Sequence, residues 1–218
     1  MEQGERLLEP ETIVTAEWER VVLPHVPEEL HAAAKFFLDA TLQAYSETDR
    51  YYHDLTHIVA CQNKLAPYRD REDYLQLFLA VLWHDLIYDT KSKTNEEDSA
   101  NEASAMIEHL ELPGAETVSR LIISTKEHAP QNEDEQLVCA IDVSILAEPW
   151  DVYQCYAVGI RAEYTTDYGG PYTWEQYAAG RRDVLKHLTE GPGPFRHPDF
   201  EHLNPRAIKN MKHEIALL

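Results

Sequence analysis

Apolar positions along this chain recur mainly with the 3.6-residue period of amphipathic helices. No stretch alternates apolar and polar residues with the enrichment in β-branched side chains that marks strands. The pattern therefore predicts an all-α protein. Its predicted helices lie near residues 13–22, 27–42, 51–65, 71–88, 96–110, 117–126, 133–146, 149–164, 174–188 and 205–217.

The size and composition of the chain are those of an ordinary globular protein. It has 218 residues, of which 44% are hydrophobic and 27% are charged. No internal repeat and no long linker divides the sequence. We therefore expect a single helical-bundle domain over residues 1–218.

The strongly negative charge of the chain argues against two classes of binding partner. A formal net charge of −20 argues against binding to nucleic-acid polymers, whose phosphates require clustered Lys and Arg, and against adhesion to anionic membranes. No apolar run approaches the roughly 20 residues of a membrane span, and the acidic N-terminus lacks a secretory signal. The three cysteines show no metal-binding spacing. We expect a cytoplasmic protein, and a homo-oligomer is compatible with the sequence.

Ionisable side chains interrupt two strongly apolar segments. His84 and Asp85 directly follow seven apolar residues at 77–83, and Asp142 lies within the apolar segment 137–146. An unpaired carboxylate is costly to bury, so such groups are usually paired or bound to a metal. These positions are therefore candidates for a buried polar site.

Two further histidines precede another apolar run. On one helix, the four-residue spacing of His53 and His57 would place them on the same face. Packing of this helix against the next would bring His57 near His84. Each residue alone is most simply a hydrogen-bonded core residue. Together with the two aspartates, however, they predict a cation site, and mixed imidazole and carboxylate ligands suit Mn, Fe, Co, Ni or Zn.

The order and spacing His57 … His84-Asp85 … Asp142 resembles the H…HD…D signature of the HD superfamily of metal-dependent phosphohydrolases. Longer strings resemble a bacterial family of predicted phosphohydrolases within that superfamily, and the resemblance covers about residues 45–215. The strings that carry it lie at residues 50–58, 83–89, 95–100, 124–128, 141–146 and 161–164.

The resemblance implies an HD-type core over about residues 45–165, with the C-terminal helices at 172–217 packed on it. It also implies that one divalent metal ion, with Mg added to the metals named above, is held by four side chains. These are His57, His84, Asp85 and Asp142. The resemblance carries no substrate.

Three acids are candidates for the general base of a hydrolytic reaction. Asp85 belongs to the ligand set, Asp89 lies four residues beyond it, and Glu96 opens the next predicted helix. An acid in the first turn of a helix also interacts favourably with the helix dipole. The role of Glu96 therefore stays open between catalysis and helix stabilisation.

Two histidines and three basic residues are candidates for binding a phosphate. His53 and His128 would donate hydrogen bonds to phosphate oxygens, and His128 would alternatively bind a second metal. Lys93, Lys126 and Arg161 would supply positive charge. Surface solvation and ion pairs with the many acids are the competing interpretations of these three residues.

The expected function is metal-dependent hydrolysis of a small phosphate ester or anhydride, with a nucleotide as the substrate suggested by analogy. Two alternatives remain open. An HD-type di-iron oxygenase would use His53 and His128 as additional ligands. A non-catalytic sensor would bind a nucleotide or a metal without turning it over.

Overall fold

The computed structural model describes residues 8–191 and 193–218, and these residues form helices and no strand. About 70% of the chain is helical, so the all-α prediction is confirmed. The α-helices are α1 (Pro10–Val21), α2 (His31–Ala44), α3 (Leu55–Leu65), α4 (Tyr74–Trp83), α5 (Asn95–His109), α6 (Ala115–Ser124), α7 (Glu133–Asp142), α8 (Trp150–Tyr164), α9 (Trp174–Thr189), α10 (Pro198–Glu201) and α11 (Asn204–Leu217).

Helix α4 runs through the centre of the core. All of its residues except Gln76 are buried, and it contacts α3, α5, α6 and α7. A helix that is apolar all round requires neighbours on every side, which explains this central position. The indole of Trp83 donates a hydrogen bond to Thr41 of α2 at 3.0 Å. The C-terminal end of α4 is thereby fixed against a neighbouring helix.

Helix α4 is shorter than the predicted span 71–88, because long-range side-chain contacts replace the helical hydrogen bonds after Trp83. The buried guanidinium of Arg50 donates to the carbonyl oxygens of Asp85 at 2.7 Å and Leu86 at 2.9 Å. These carbonyls are therefore satisfied without further helical turns. His84 and Asp85 consequently lie in the turn that follows the helix.

Helix α3 begins later than predicted, so His53 and His57 do not share a helical face. Asp54 is the N-cap, and its carboxylate accepts hydrogen bonds from the backbone amides of Thr56 at 2.7 Å and His57 at 3.3 Å. Aspartate is a favoured N-cap because it satisfies free amides of the first turn. His57 lies in the first turn of α3, whereas His53 lies in the loop before it.

The C-terminal helices pack against one another and against the segment after α7. The predicted helix at 133–146 is divided, since α7 ends at Asp142 and a 3₁₀ helix, Val143–Ala147, follows. Helix α11 contacts this 3₁₀ helix as well as α8 and α9. One hydrophobic cluster extends from Val14 of α1 to Met211 of α11. Within the described residues, no helix is long and apolar enough to cross a membrane.

Candidate metal centre and adjoining cleft

Four side chains from three parts of the chain converge at one point. The Nε2 atoms of His57 and His84 lie 3.2 Å apart. Asp85 Oδ2 is 3.0 Å from His84 Nε2 and 3.8 Å from His57 Nε2. Asp142 Oδ1 is 3.5 Å from each of these nitrogens. Helix α3, the turn after α4 and the end of α7 thus supply the residues that the sequence had singled out as ligands.

The spacing of these atoms fits the ligand shell of a single divalent ion. Ligand atoms about 2.1 Å from one ion, separated by roughly 90–109°, lie about 3.0–3.4 Å apart. The nitrogen–nitrogen and nitrogen–oxygen distances of the cluster run from 3.0 to 3.8 Å. One donor atom each from His57, His84 and Asp85 lies within 4.8 Å of the other two. His57, His84 and Asp85 therefore fit the shell of one metal ion, whereas Asp142 lies outside this three-residue group and would have to move toward Asp85 to join it.

Hydrogen bonding sets the orientation of the His84 ring. Its Nδ1 lies 3.0 Å from the carbonyl oxygen of Val81, to which only an N–H can donate. In the neutral ring, Nε2 then carries a lone pair directed toward His57 and the aspartates. A backbone carbonyl bound to the outer ring nitrogen is the usual support of a metal-ligating histidine. Both ring nitrogens of His84 therefore have the contacts expected of a metal ligand, since Nδ1 bonds a backbone carbonyl and Nε2 faces the cluster.

The electrostatics of the cluster favour a cation between the carboxylates. Burial raises the pKa of the Asp142 carboxyl, but hydrogen bonds from His128 and two other histidines outweigh it and hold this pKa well below the usual value. Burial also raises the pKa of Asp85, yet the nearby His84 and His53 bring it below the usual range. Burial lowers the pKa of His84, and the two aspartates raise it well above the ordinary value. Both acids are therefore ionised and attract positive charge.

His128 contacts the cluster through its second aspartate. Its Nε2 lies 2.9 Å from Asp142 Oδ2, on the carboxylate oxygen that does not face His57 and His84. His128 follows α6 in a loop and has a φ of 46°, in the left-handed region that few side chains adopt. The contact orients Asp142 and leaves the imidazole at the edge of the site.

His53 is held by a buried glutamate that the sequence analysis left without a role. Glu163 Oε2 lies 2.7 Å from His53 Nδ1 and accepts a hydrogen bond from Tyr88 Oη at 3.0 Å. Glu163 Oε1 accepts from the backbone amides of Tyr52 at 2.7 Å and His53 at 2.9 Å. Glu163 lies three residues after the buried Ile160, so helical periodicity alone would have placed it on the inner face of α8.

Two of the candidate general bases lie away from the cluster. Asp89 is exposed, and its Oδ1 accepts a hydrogen bond from the backbone amide of Lys91 at 2.8 Å. Glu96 is half-buried near the start of α5, with Oε2 3.9 Å from Lys126 Nζ. Neither borders the cleft next to the cluster. Of the three candidates, only Asp85 belongs to the cluster, and it does not border the cleft either.

The three basic candidates for binding a phosphate lie in different parts of the structure. Lys126 borders the cleft, but its Nζ contacts Glu97 Oε2 at 2.7 Å and the carbonyl oxygen of Lys93 at 2.6 Å. The side chain of Lys93 is exposed. The guanidinium of Arg161 lies 4.3 Å above the ring of Trp174, outside the lining of the cleft. Of the three, only Lys126 borders the cleft.

A cleft of about 920 Å³ adjoins the cluster. It lies between the 3₁₀ helix Val143–Ala147, α8 and α9, and is bordered by His53, His128 and Asp142. This volume is within the range of small-molecule sites. Of the four cluster residues, only Asp142 borders the cleft, so a ligand there would approach the candidate metal centre from the Asp142 side.

A second buried charge pair forms part of the cleft wall. Arg181 of α9 donates from Nε to Glu214 Oε1 at 2.9 Å and from Nη2 to Tyr156 Oη at 3.0 Å. Glu214 lies on α11, and Tyr153 of α8 donates to its other oxygen. This pair is not evident from the sequence, because its members lie on different helices far apart along the chain.

The chain matches no model of a known protein family, no curated protein and no solved structure in the comparisons made. The similarity to the HD superfamily thus remains a prediction from the motif. Functional inference rests on the chemistry of the site.

Proposed function

We propose that this protein is a metal-dependent phosphohydrolase that acts on a small phosphate ester or anhydride. The observation that carries the proposal is the convergence of His57, His84 and Asp85 at distances suited to one divalent ion, with Asp142 beside them. Two carboxylates and two imidazoles with an adjoining cleft are typical of a hydrolytic metal site.

The four converging side chains would hold the ion, and two of them are oriented by a further contact. Val81 orients His84, and His128 orients Asp142. When bound, a divalent ion supplies positive charge that polarises a phosphoryl oxygen and lowers the pKa of a water molecule toward 7. The chain itself supplies the proton acceptors and donors around that water.

Hydrolysis requires one proton to leave the attacking water and one to reach the departing oxygen. The oxygen of the water forms a bond to phosphorus as the bond from phosphorus to the departing oxygen breaks. Asp85 is ionised and 17% exposed, and it accepts the proton of the water. Burial lowers the pKa of His53, but Asp85 and Glu163 raise it above the ordinary value. In the imidazolium form, Nδ1–H donates to Glu163 and Nε2–H, on the cleft side, gives its proton to the departing oxygen.

The decisive experiment combines elemental analysis of the purified protein with a phosphatase screen. We expect about one divalent ion per chain and phosphate release that stops on chelation and returns with added metal. A protein that contains no metal and is not activated by Mn, Co, Ni or Mg would contradict the proposal. Saturable nucleotide binding without turnover would favour the sensor alternative.

His128 provides a test of the number of ions. His128→Ala is expected to retain the metal and to lower turnover by roughly 10²–10⁴-fold, the usual contribution of a positioned acid–base group. The matched control is His109→Ala, which removes an exposed histidine on α5 and should leave metal content and turnover unchanged. Loss of metal in His128→Ala would instead indicate a second ion and favour the oxygenase alternative.

A further inference from the structure

The cleft beside the candidate metal centre has a mainly apolar and aromatic lining. Its described part contains five tyrosines, which are Tyr52, Tyr156, Tyr164, Tyr172 and Tyr177. Six aliphatic side chains complete the wall, namely Val143, Ile145, Leu146, Ile160, Val184 and Leu188. Such a surface binds the apolar part of a ligand, while a few polar groups set its orientation.

The charged groups of the lining do not suit a chain of phosphates. The described lining contains two cations and three acids, a formal charge of 2 − 3 = −1 with neutral histidines: Lys126, Arg181, Glu127, Asp142 and Asp183. Lys126 Nζ lies 2.7 Å from Glu97 Oε2, and Arg181 Nε lies 2.9 Å from Glu214 Oε1. Sites for triphosphates surround the phosphates with several basic groups and metal ions. Here both cations are already neutralised.

Two features of the tyrosines favour a flat group with hydrogen-bonding capacity. The rings of Tyr164 and Tyr172 are parallel to within 6°, with centroids 6.4 Å apart, and both border the cleft. The hydroxyl of Tyr177 is buried and has no hydrogen-bond partner among the described residues. A buried hydroxyl without a partner is unfavourable, and a turn of the Tyr177 ring toward the cleft would let it donate a hydrogen bond to a ligand atom.

We propose that the substrate is a phosphate monoester whose organic part is a flat, largely apolar group that occupies the tyrosine-lined cleft. The phosphate then lies at the candidate metal centre, so this inference rests on the proposed function. The organic part is bound by ring faces and aliphatic side chains. Polyphosphates are poor substrates, because the cleft offers no unpaired Lys or Arg among its described residues beyond the metal centre.

The first test compares three substrates on the metal-loaded protein: 1-naphthyl phosphate, glycerol 2-phosphate and ATP. We expect kcat/KM for 1-naphthyl phosphate to exceed both others by at least about 10-fold, since even one methylene in an apolar pocket changes this ratio by that factor. Faster hydrolysis of ATP or glycerol 2-phosphate would overturn the inference and leave the proposed phosphohydrolase function intact.

A binding measurement separates this inference from the proposed function. Calorimetry compares 1-naphthylphosphonate with methylphosphonate, two ligands that the enzyme does not hydrolyse. Tighter binding of the naphthyl compound supports the cleft assignment even if no ester is turned over, in which case the phosphohydrolase function alone fails. Equal binding of the two phosphonates overturns the assignment.

A pair of tyrosine variants localises the effect. Tyr172 borders the cleft and is 41% exposed, whereas Tyr51 is 48% exposed and lies outside the lining. Tyr172→Ala is expected to raise KM for 1-naphthyl phosphate by roughly 10-fold, the scale of one lost stacking contact, and to spare glycerol 2-phosphate. Tyr51→Ala should change neither substrate. Equal effects of the two variants on 1-naphthyl phosphate would overturn the inference.

Discussion

Two buried clusters of ionisable side chains border the same cleft, and they are built differently. In the Arg181–Glu214 pair, donors face acceptors, with Arg181 Nε and Nη2 bound to the two glutamate oxygens at 2.9 and 3.2 Å. In the His57–His84 cluster, the Nε2 atoms of two histidines face each other at 3.2 Å, beside two ionised aspartates. The first cluster is satisfied by its own members, whereas the second is neutral only after it takes up protons or a metal ion.

This difference separates a structural role from a binding role. A closed ion pair needs no further ligand, and its partners hold two helices together. A cluster of two carboxylates and two imidazoles is neutral only when protons or a metal ion occupy it. Burial is similar in the two clusters, so burial alone does not identify a site. The direction in which the donors and acceptors point is what distinguishes them.

The largest expected effect is the loss of the ion from the open cluster. Asp142→Asn keeps the size of the side chain but removes a negative charge from the centre. We expect metal affinity to fall by more than about 100-fold and hydrolysis to disappear. Mutation of a residue that merely hydrogen-bonds a metal ligand can already lower metal affinity by up to about 100-fold. Elemental analysis measures the metal, and circular dichroism checks that the protein is folded. Retention of both metal and activity would remove the four-ligand site.

Disruption of the Arg181–Glu214 pair should lower the stability of the fold and leave metal binding unchanged. Glu214→Gln leaves the buried guanidinium of Arg181 without its counter-charge, and we expect a loss of about 3 kcal/mol in the free energy of unfolding. Metal content should not change. The double variant Arg181→Met with Glu214→Leu should recover most of this stability, because well-packed apolar groups often replace a buried ion pair without loss. Urea unfolding measures all three proteins.

A smaller, pH-dependent effect is expected at Glu163, which shares features of both clusters. Burial raises the pKa of its carboxyl, but His53 and the amides of Tyr52 and His53 lower it below the ordinary value of 4.5. A lowered pKa contributes stability above the unfolded value, and that contribution is lost as the pH falls through the folded value. Glu163→Gln should therefore cost roughly 1.5–3 kcal/mol at pH 7, the range for hydrogen bonds to charged groups.

The measurement for Glu163 is urea unfolding of wild type and variant across the acid range. The difference in unfolding free energy should shrink as the pH falls below about 4.5, where protonation removes the charge from the wild-type carboxyl. A difference that is independent of pH would mean that Glu163 acts through packing and not through its charge.

The helices and the residue types of the candidate site follow from local patterns in the sequence. The apolar run before His84 predicts a central helix, and the acid within the segment 137–146 marks Asp142 as unusual. Both inferences depend on neighbours only a few positions apart, which one sequence displays directly. The all-α architecture was predictable for the same reason.

The geometry of the site depends on contacts between residues that are distant in sequence. Arg50 ends α4 by binding carbonyls 35 and 36 residues away, and this places His84 and Asp85 in a turn. His53 depends on Glu163, 110 residues away. Hydrogen-bond partners are chosen by three-dimensional proximity, and hydrophobic periodicity carries no information about them. The sequence therefore determined which residues could form a metal centre, and the tertiary packing decided their arrangement, because only packing brings such distant donors and acceptors together.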